Sequence, residues 1–298
     1  MQNKKKLVSI ILNCYNGERY LNQALTSVLN QTYKNWELIF WDNKSTDKSK
    51  IILKSFKNNR FKYFYSKNHT SLYKARNLAI NKSRGQFISF IDADDTWDEN
   101  KLLKQIKLFN EKNVAVVYGN SWIKNEKLKK KKIFIKHKMN KGYIHDELIK
   151  SYNVGILTAV IKKKFIHTKK KIFNDKYNII GDFDFFLKLS QKYKFNVIQE
   201  PVATYRVHDK NLSKLKKDIE IKEYEHWLRN NKKIINKKNF EIIKTKILHL
   251  KFVQLKFKKS FLKTITFLIQ NKGKIFNLKN MIILFLPKTV LKKIMWFY

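Results

Sequence analysis

Cysteine is almost missing from this 298-residue chain: Cys14 stands alone, so no disulfide can form within the chain. A lone thiol is typical of proteins in a reducing compartment. The chain also lacks an uninterrupted apolar stretch of about 20 residues, which a membrane-spanning helix needs. The run "LVSIIL" at 7–12 has only six residues, and no small-residue cleavage site follows it. It therefore predicts a β-strand rather than a signal peptide.

Acidic residues are scarce, with 23 Asp and Glu against 65 Lys and Arg, which gives a formal net charge of +42. Three explanations stay open: lysine as a default surface residue, attraction to an anionic membrane, and binding of nucleic acid or another polyanion. The lysines are spread along the whole chain, and no helix-turn-helix, zinc or RNA-recognition signature is present. This pattern argues against nucleic acid as a partner.

What is present indicates a folded protein, because 43% of the residues are hydrophobic and 14% are aromatic. Strand and helix signals alternate over the first 120 residues. The predicted strands are 7–12, 36–41, 61–65, 86–91 and 114–118, and the predicted helices are 17–31, 45–56, 71–83 and 99–109. This β-α alternation predicts an α/β fold, a mostly parallel sheet with helices on both faces.

Polar residues follow these predicted strands where each strand ends. Asn13 and Tyr15 follow the first strand, Asp42 follows the second, and Asp92 and Asp94 follow the fourth. In a parallel sheet these ends meet at one rim, which is where such sheets bind ligands.

The rest of the chain divides into two parts. Residues 121–212 are less regular, with a predicted strand at 157–165, a helix at 182–193 and a strand and loop at 195–208. Residues 213–298 are predicted to be helical and hold 22 Lys and Arg but five acids, none after Glu241. These basic helices predict either a surface for an anionic bilayer or an ordinary appendage to the rest of the chain.

One short segment opposes the basic composition. The eleven residues from Phe90 to Asn100 hold five acids, where an even distribution would place fewer than one. Clustered carboxylates repel and are costly to desolvate, so a positive group should compensate them. In Asp92-Ala93-Asp94 the alternation of a strand would put both carboxylates on one side, which suits an oxygen-preferring dication such as Mn²⁺ or Mg²⁺. Asp95, Asp98 and Glu99 are better explained by the turn and helix that follow.

Several stretches resemble the family 2 inverting glycosyltransferases, which have the GT-A fold, a Rossmann-like sheet. The resemblance runs from about residue 7 to 213. It is carried by "VSIILNCYNGERYLNQALTSVLNQTYKNWELIFWDNKSTD", "LYKARNLAI", "GQFISFIDADDTW", "GDFDFFLKL" and "YRVHDKNLS". It implies a nucleotide-sugar-binding half at 1–120, an acceptor-binding half at 121–212 and a helical extension at 213–298.

The resemblance also implies roles for single residues. Asp42 would accept the N–H of the nucleotide base, with Tyr15 against the base and Asn13 nearby; Arg76 would reach toward the diphosphate. Asp92 would contact the ribose or the metal, Asp94 would coordinate the metal, and His208 would be a metal ligand or phosphate donor. Where the family often has Asp-Gly after the position of Asp42, this chain has Asn43 and Lys44, which puts the loop shape in doubt.

An inverting transfer also needs a base that takes the proton of the acceptor hydroxyl. The family supplies it from an acidic pair, which here reads Gly181-Asp182 and is followed by Phe183-Asp184. Asp182 is the first candidate and Asp184 the second.

The implied partners are a nucleotide-diphosphate sugar, a saccharide or lipid-linked acceptor and an anionic membrane surface. The implied process is surface polysaccharide assembly by a cytoplasmic protein, peripheral at the inner face of the cytoplasmic membrane. Because glycine replaces the first acid of the pair, an inactive nucleotide-sugar-binding homologue is the main alternative.

Overall fold

A computed structural model describes residues 6–166, 171–212, 216–233, 235–258 and 260–295. The chain divides into two compact units. The first comprises Met1–Leu148 and Tyr152–Arg206, and the second Ile149–Ser151 and Val207–Tyr298. Each unit has an apolar cluster of its own.

Nine strands of the described residues form one sheet. They are β1 (Val8–Cys14), β2 (Trp36–Asp42), β3 (Phe61–Tyr65), β4 (Phe87–Asp92), β5 (Thr96–Trp97), β6 (Val114–Asn125), β7 (Lys130–Ile133), β8 (Val160–Lys162) and β9 (Lys194–Val207). The order is β3-β2-β1-β4-β8-β6-β9-β5, with β7 paired to β6. The four strands β3, β2, β1 and β4 pair in parallel, while β8 runs antiparallel to both β4 and β6.

The α-helices among the described residues before β9 are α1 (Glu18–Leu29), α2 (Ser49–Ser55), α3 (Leu72–Ile80), α4 (Lys101–Lys107), α5 (His145–Lys150) and α6 (Gly181–Ser190). Helices α1, α2 and α3 each follow one of the parallel strands β1, β2 and β3, and the other three lie later in the first part of the chain. Strands β1, β2 and β4 are buried along nearly their whole length. A parallel sheet covered by helices on both faces requires such continuous apolar strands. The predicted α/β class is therefore confirmed, with antiparallel strands added on one side of the parallel set.

Several predicted boundaries differ. Helix α2 begins at Ser49 instead of residue 45, and its N-cap is Lys48, whose side chain makes no capping bond. Strand β6 continues to Asn125 instead of ending at residue 118, because its pairing with β7 extends the ladder. Strand β9 runs through Pro201, so this proline does not end the strand.

The second unit is helical, as the sequence predicts. Its helices are α7 (Lys217–Asn231), α8 (Lys237–Lys258), α9 (Phe261–Gln270), α10 (Lys272–Ile275), α11 (Leu278–Phe285) and α12 (Lys288–Ile294). Its apolar cluster is built from α8 to α12 and contains Phe252, Val253, Leu268, Ile275, Ile283, Leu284 and Leu291. Among the helices described, none combines the length and the apolar character needed to cross a bilayer.

Candidate active site

The carboxyl ends of β1, β2 and β4 lie at one rim of the sheet. The register pairs Cys14 with Asp42 and Asn13 with Asp92. The predicted convergence of these polar residues is thereby confirmed for the three strands. Asn13 Nδ2 is buried and has no hydrogen-bond partner within the described part of the chain. The rim thus contains a buried amide donor whose loss of hydration is not compensated by a hydrogen bond within the described residues.

Asp42 ends β2 with a side chain that is only 1% exposed. Its Oδ1 accepts a hydrogen bond from the Ser45 backbone N–H at 2.7 Å, and its Oδ2 accepts one from the Tyr63 hydroxyl at 2.9 Å. Burial, with the neighbouring Asp42, raises the pKa of Tyr63, so this phenol stays a donor. Asp42 therefore shapes the loop that follows β2 and has its orientation fixed from two sides.

The loop after Asp42 keeps a conformation that glycine usually provides. Lys44 has φ +70°, in the left-handed region that side chains other than glycine seldom adopt. Asn43 bridges to the next loop, since its Oδ1 accepts from the Thr70 backbone N–H at 3.1 Å and its Nδ2 donates to the Thr70 carbonyl at 2.8 Å. Asn43 and Lys44 thus stand where the family often has Asp-Gly, and the loop still forms a tight turn at the rim.

An aromatic pair stands beside this loop. The Tyr15 side chain is 55% exposed, and its ring centroid lies 4.2 Å from that of His69, with 53° between the planes. His69 Nδ1 lies 3.1 Å from the Asn43 carbonyl oxygen, which anchors the imidazole to the rim. No motif in the sequence singles out His69. Its place in the loop after β3, which ends at the same rim, is the signal that could have identified it.

Arg76, on α3, forms a buried ion pair with Asp92. Arg76 is 3% exposed, and its Nη2 lies 2.8 Å and 3.2 Å from the two carboxylate oxygens of Asp92. Burial opposes its charge, but Asp92, Tyr73 and Asp182 together raise the pKa of Arg76. The guanidinium therefore compensates part of the acidic cluster, as a buried cation rather than as a surface arginine. The side chain of Asp92 keeps 32% of its surface exposed.

Asp94 lies in the turn after β4, not in the strand, so strand alternation does not orient its carboxylate. Instead, the buried side chain of Arg206 fixes this turn from β9. Arg206 Nε donates to the Asp94 carbonyl at 2.7 Å, and its guanidinium also bonds Gln23 Oε1 at 2.6 Å and Glu126 Oε1. A residue more than 100 positions away thus positions the acidic turn.

The prediction that Asp95 serves the turn that follows it is wrong, because its carboxylate faces β9. It is 1% exposed, and its Oδ1 accepts from the Arg206 backbone N–H at 2.8 Å. Burial, together with the charges of Asp94 and Asp92, holds the pKa of Asp95 well above its usual value. Asp98 does fit the predicted helix start, since its Oδ1 accepts from the Asn100 backbone N–H at 3.0 Å.

Asp182 lies in the first turn of α6, where Tyr73 from α3 contacts it. The Tyr73 hydroxyl lies 3.1 Å from Asp182 Oδ1 and 2.8 Å from the Ile179 carbonyl oxygen. The backbone N–H of Phe183 donates to the same Oδ1 at 2.9 Å. Burial raises the pKa of Asp182, although Arg76 and these hydrogen bonds oppose the shift. A carboxylate with a raised pKa is better suited to accept a proton near neutral pH.

Gly181 is glycine because Tyr73 fills the space next to it. A Cβ at residue 181 would lie 2.6 Å from Tyr73 Cδ2, far inside van der Waals contact. The ring of Tyr73 in turn packs against Phe173, at 5.4 Å between centroids. Glycine thus stands where the family has its first acid, and Tyr73, whose ring fills the space beside it, also contacts the remaining acid, Asp182.

Asp184 is 3% exposed, and its Oδ2 lies 2.6 Å from Lys188 Nζ, one helical turn later in α6. Its carboxylate is thus engaged in a partly buried ion pair within its own helix.

His208 belongs to the second unit, directly after β9. The imidazole Nδ1 of His208 accepts from the Lys210 backbone N–H at 3.2 Å, and the backbone N–H of His208 donates to Asn211 Oδ1 at 2.6 Å. Its role as a metal ligand or phosphate donor stays a prediction. Cys14 is buried, and burial raises the pKa of its thiol to about 11, which disfavours the reactive thiolate form.

No group of three or more His, Cys, Asp or Glu side chains within the described ranges is arranged to hold a metal ion. Mg²⁺ and Mn²⁺ sites in phosphate-handling enzymes need only one or two carboxylates, with the substrate phosphates as further ligands. Asp92 and Asp94, whose side chains are both partly exposed, are the residues that would hold such an ion.

Comparison with known proteins agrees with this geometry. The model of the family described as "Glycosyl transferase family 2" matches residues 9–186, more than half of the chain. The chain therefore belongs to glycosyl transferase family 2.

A curated relative is WfgD of Escherichia coli, a UDP-Glc:alpha-D-GlcNAc-diphosphoundecaprenol beta-1,3-glucosyltransferase. It is 34% identical over 161 residues, which are 54% of this chain and 62% of WfgD. The match thus spans less than two thirds of that relative.

Two solved structures share the fold. TarS of S. aureus, in complex with UDP, has a TM-score of 0.61 at 18% identity; the match covers 85% of this chain and 75% of that one. The mannosyltransferase PcManGT from Pyrobaculum calidifontis, in complex with GDP-Man and Mn²⁺, has a TM-score of 0.60 at 13% identity. That match covers 92% of this chain and 81% of PcManGT.

Proposed function

We propose that this protein is a metal-dependent inverting glycosyltransferase that moves a sugar from a nucleotide-diphosphate donor to a saccharide on a lipid carrier, in the assembly of a surface polysaccharide. Membership of the family supports the reaction type. The relative WfgD, named as a glucosyltransferase acting on a diphosphoundecaprenol-linked GlcNAc, supports the acceptor class.

The observation that carries this proposal is a continuous set of polar contacts across the first unit. Asp92 pairs with Arg76, whose guanidinium carbon lies 5.4 Å from the centre of the Tyr73 ring, and the Tyr73 hydroxyl reaches Asp182. At one end Asp92 would hold the dication that binds the diphosphate of a donor, and the other end carries the half-buried carboxylate of Asp182, suited to accept a proton. Transfer of a glycosyl group needs both functions in one site.

The nucleoside would bind at the ends of β1 and β2. Asp42 offers its remaining lone pairs to a base N–H, and the exposed Tyr15 ring, backed by His69, offers an apolar surface to the base. A ligand that accepts a hydrogen bond from Asn13 Nδ2 would satisfy the buried donor that has no partner in the described structure.

Asp92 and Asp94 would hold Mn²⁺ or Mg²⁺ through carboxylate oxygens. When bound, the ion supplies positive charge where the leaving diphosphate becomes more negative. Arg76 adds a second cation on the side of α3, and Arg206 fixes the turn that carries Asp94.

The transfer step is a single displacement. The acceptor oxygen forms a bond to the anomeric carbon as the bond from that carbon to the phosphate oxygen breaks, and the acceptor proton moves to Asp182. The products are the glycoside with inverted configuration, the nucleoside diphosphate and a protonated Asp182. Tyr73 orients the carboxylate that receives the proton. Asp182 is a better base than Asp184, whose carboxylate is buried against Lys188.

A membrane carrier as acceptor places the protein at the inner face of the cytoplasmic membrane, as a peripheral protein. This part of the proposal is supported by the acceptor of WfgD and by the absence of acids after Glu241.

A second candidate function is nucleotide-sugar binding without turnover, and the replacement of an acid by Gly181 favours it. The two candidates are separated by measuring nucleoside diphosphate release from UDP-glucose, UDP-GlcNAc and GDP-mannose, with Mn²⁺ and with EDTA. The acceptor would be a GlcNAc-diphosphate lipid with a short chain, and the anomeric configuration of the product would be read by NMR. We expect Mn²⁺-dependent release that the acceptor accelerates.

Thermal unfolding with the same sugar nucleotides is the companion measurement, because a ligand that binds only the folded state raises the melting temperature. Stabilisation without release would favour the binding homologue. An absence of both, together with stabilisation by RNA or heparin, would favour a polyanion-binding protein and overturn the proposal.

A further inference from the structure

Exposed large apolar side chains are concentrated in the last helices of the second unit. In the described part of the chain fourteen such residues are exposed, and nine of them lie between residues 261 and 294. Single exposed apolar residues are ordinary on protein surfaces, but a group of them marks an interaction site.

Helix α11 shows how this group is arranged. Leu278, Ile282 and Phe285 follow the spacing i, i+4 and i+7, so they lie on one side of the helix. They are 77%, 50% and 65% exposed. The other side, with Ile283 and Leu284, is buried in the apolar cluster of the second unit. Packing within the unit therefore uses one side of an apolar helix and leaves the opposite side uncovered.

Helix α9 extends the same surface. The ring centroid of Phe261, at the start of α9, lies 6.0 Å from that of Phe285, at the end of α11. Phe261 is 46% exposed. We name the four residues Phe261, Leu278, Ile282 and Phe285 the α9–α11 face. Their contact makes the exposed residues of two helices one surface.

The charged residues on the helices that carry this face, α9 to α12, all have one sign. Residues 242–298 contain thirteen lysines and no Asp or Glu. Lys263, Lys279 and Lys288, on α9, α11 and α12, have exposed side chains. A partner that is apolar inside and negatively charged at its surface complements this combination, and an anionic phospholipid bilayer has that chemistry.

We propose that the α9–α11 face docks onto anionic phospholipid bilayers, with the apolar side chains entering the headgroup boundary and the lysines contacting lipid phosphates. The inference deepens the proposed membrane location and rests on that location alone; it does not depend on sugar transfer. The acidic rim of the first unit takes no part in it.

The test is co-sedimentation of the full chain with vesicles. One set is phosphatidylcholine with about a third phosphatidylglycerol, and the other is phosphatidylcholine alone. We expect binding to the anionic vesicles that falls at least about fivefold in the neutral set, and that also falls when salt rises from 0.1 to about 0.5 M. The variant Ile282→Ser/Phe285→Ser should lose about fivefold or more of the binding to anionic vesicles.

A matched control is Ile51→Ser/Phe134→Ser. It removes the same two side-chain types from exposed positions in the first unit, 69% and 45% exposed. The control should bind vesicles as the wild type does. Melting curves of both variants show whether each folds, and Lys279→Glu/Lys288→Glu tests the charge contribution without touching the apolar residues.

Three results would overturn the proposal. The first is vesicle binding that both double-serine variants lose equally. The second is unchanged binding in a folded Ile282→Ser/Phe285→Ser variant. The third is a wild-type dimer in sedimentation velocity that this variant abolishes while the wild type ignores vesicles, since the face would then bind a second copy. None of these results depends on a sugar nucleotide, so they are separate from a failure of glycosyl transfer.

Discussion

The two units handle charge and apolar surface in opposite ways. In the first unit several charged groups are buried and held by specific contacts: Arg76 pairs with Asp92, and Asp42 accepts hydrogen bonds from Ser45 and Tyr63. In the second unit lysines remain at the surface and apolar side chains are exposed beside them. A buried charge is costly unless its partner is well placed, so the first arrangement fixes geometry. Exposed apolar and cationic side chains do not position other residues of their unit, so the surface they form can adapt to a partner.

The sharpest way to test the first unit is to remove the proposed base. Asp182→Asn should lower transfer by about 100- to 10,000-fold, the range expected for general base catalysis, while donor binding is kept. Because burial raises the pKa of Asp182 in the folded state, its ionisation lowers the stability of the fold once the pH rises above the unfolded pKa, and by the full amount above the folded pKa. The amide should therefore leave the melting temperature at neutral pH equal or higher. Release rate, donor titration and melting are the measurements.

The matched control is Asp184→Asn, whose carboxylate is paired with Lys188. If Asp184→Asn were the inactive variant and Asp182→Asn active, the assignment of the base would be reversed.

Removal of Asp94 comes next in size. Asp94→Ala should lower Mn²⁺-dependent donor turnover by about 100-fold or more, because charge stabilisation on the leaving diphosphate would be lost. Binding of Mn²⁺ in the presence of the nucleoside diphosphate, followed by electron paramagnetic resonance, should weaken in parallel. Asp98→Ala removes an acid from the same segment and should retain turnover; equal effects of the two changes would contradict a metal role for Asp94.

A smaller effect should come from crowding the contact between Gly181 and the Tyr73 ring. Gly181→Ala places a Cβ against the Tyr73 ring and should destabilise the fold by about 1–3 kcal/mol, the range for overpacking. Combining it with Tyr73→Ser should be less harmful than the sum of the two changes, since the small side chain vacates the space. Denaturant unfolding of the four variants measures this coupling. Simple additivity would show that the ring and residue 181 do not compete for that space.

Tyr73→Phe keeps the ring and removes only the hydroxyl. Turnover should fall by about 3- to 10-fold, the magnitude of one hydrogen bond. The hydrogen bond from Tyr73 lowers the pKa of Asp182, so its loss should raise that pKa further. Asp182 must be deprotonated to act as a base, and the acidic limb of the rate profile should therefore move to higher pH. A rate loss without this movement would mean that Tyr73 only supports the fold.

The smallest expected effect is that of a substitution in the second unit on the reaction proposed for the first unit. Ile282→Ser/Phe285→Ser, which changes the α9–α11 face, should alter donor hydrolysis in detergent-free solution by less than about twofold, because it removes no rim contact. Conversely, Asp94→Ala should sediment with anionic vesicles like the wild type. If either variant strongly changed both donor hydrolysis and vesicle binding, the assignment of these two functions to separate units would be wrong.

Sequence alone determined the elements that short-range patterns control. Buried strands such as β1 and β2 need continuous apolar runs, and polar residues directly after them must lie at the carboxyl rim of a parallel sheet. The position of Asp42 and Asp92 at one rim followed from this rule and is confirmed. The helical character of the described residues after 215 followed from the sequence pattern in the same way.

Tertiary structure alone decided which side chains meet. Tyr73 and Asp182 are 109 residues apart, and Arg206 is 112 residues from Asp94, so no local pattern links them. The reason for Gly181 became visible only with the Tyr73 ring beside it. Helix α11 is apolar on nearly all sides, so its sequence could not say which side the unit buries. Local patterns constrain one element at a time, whereas burial and pairing depend on the elements packed against it.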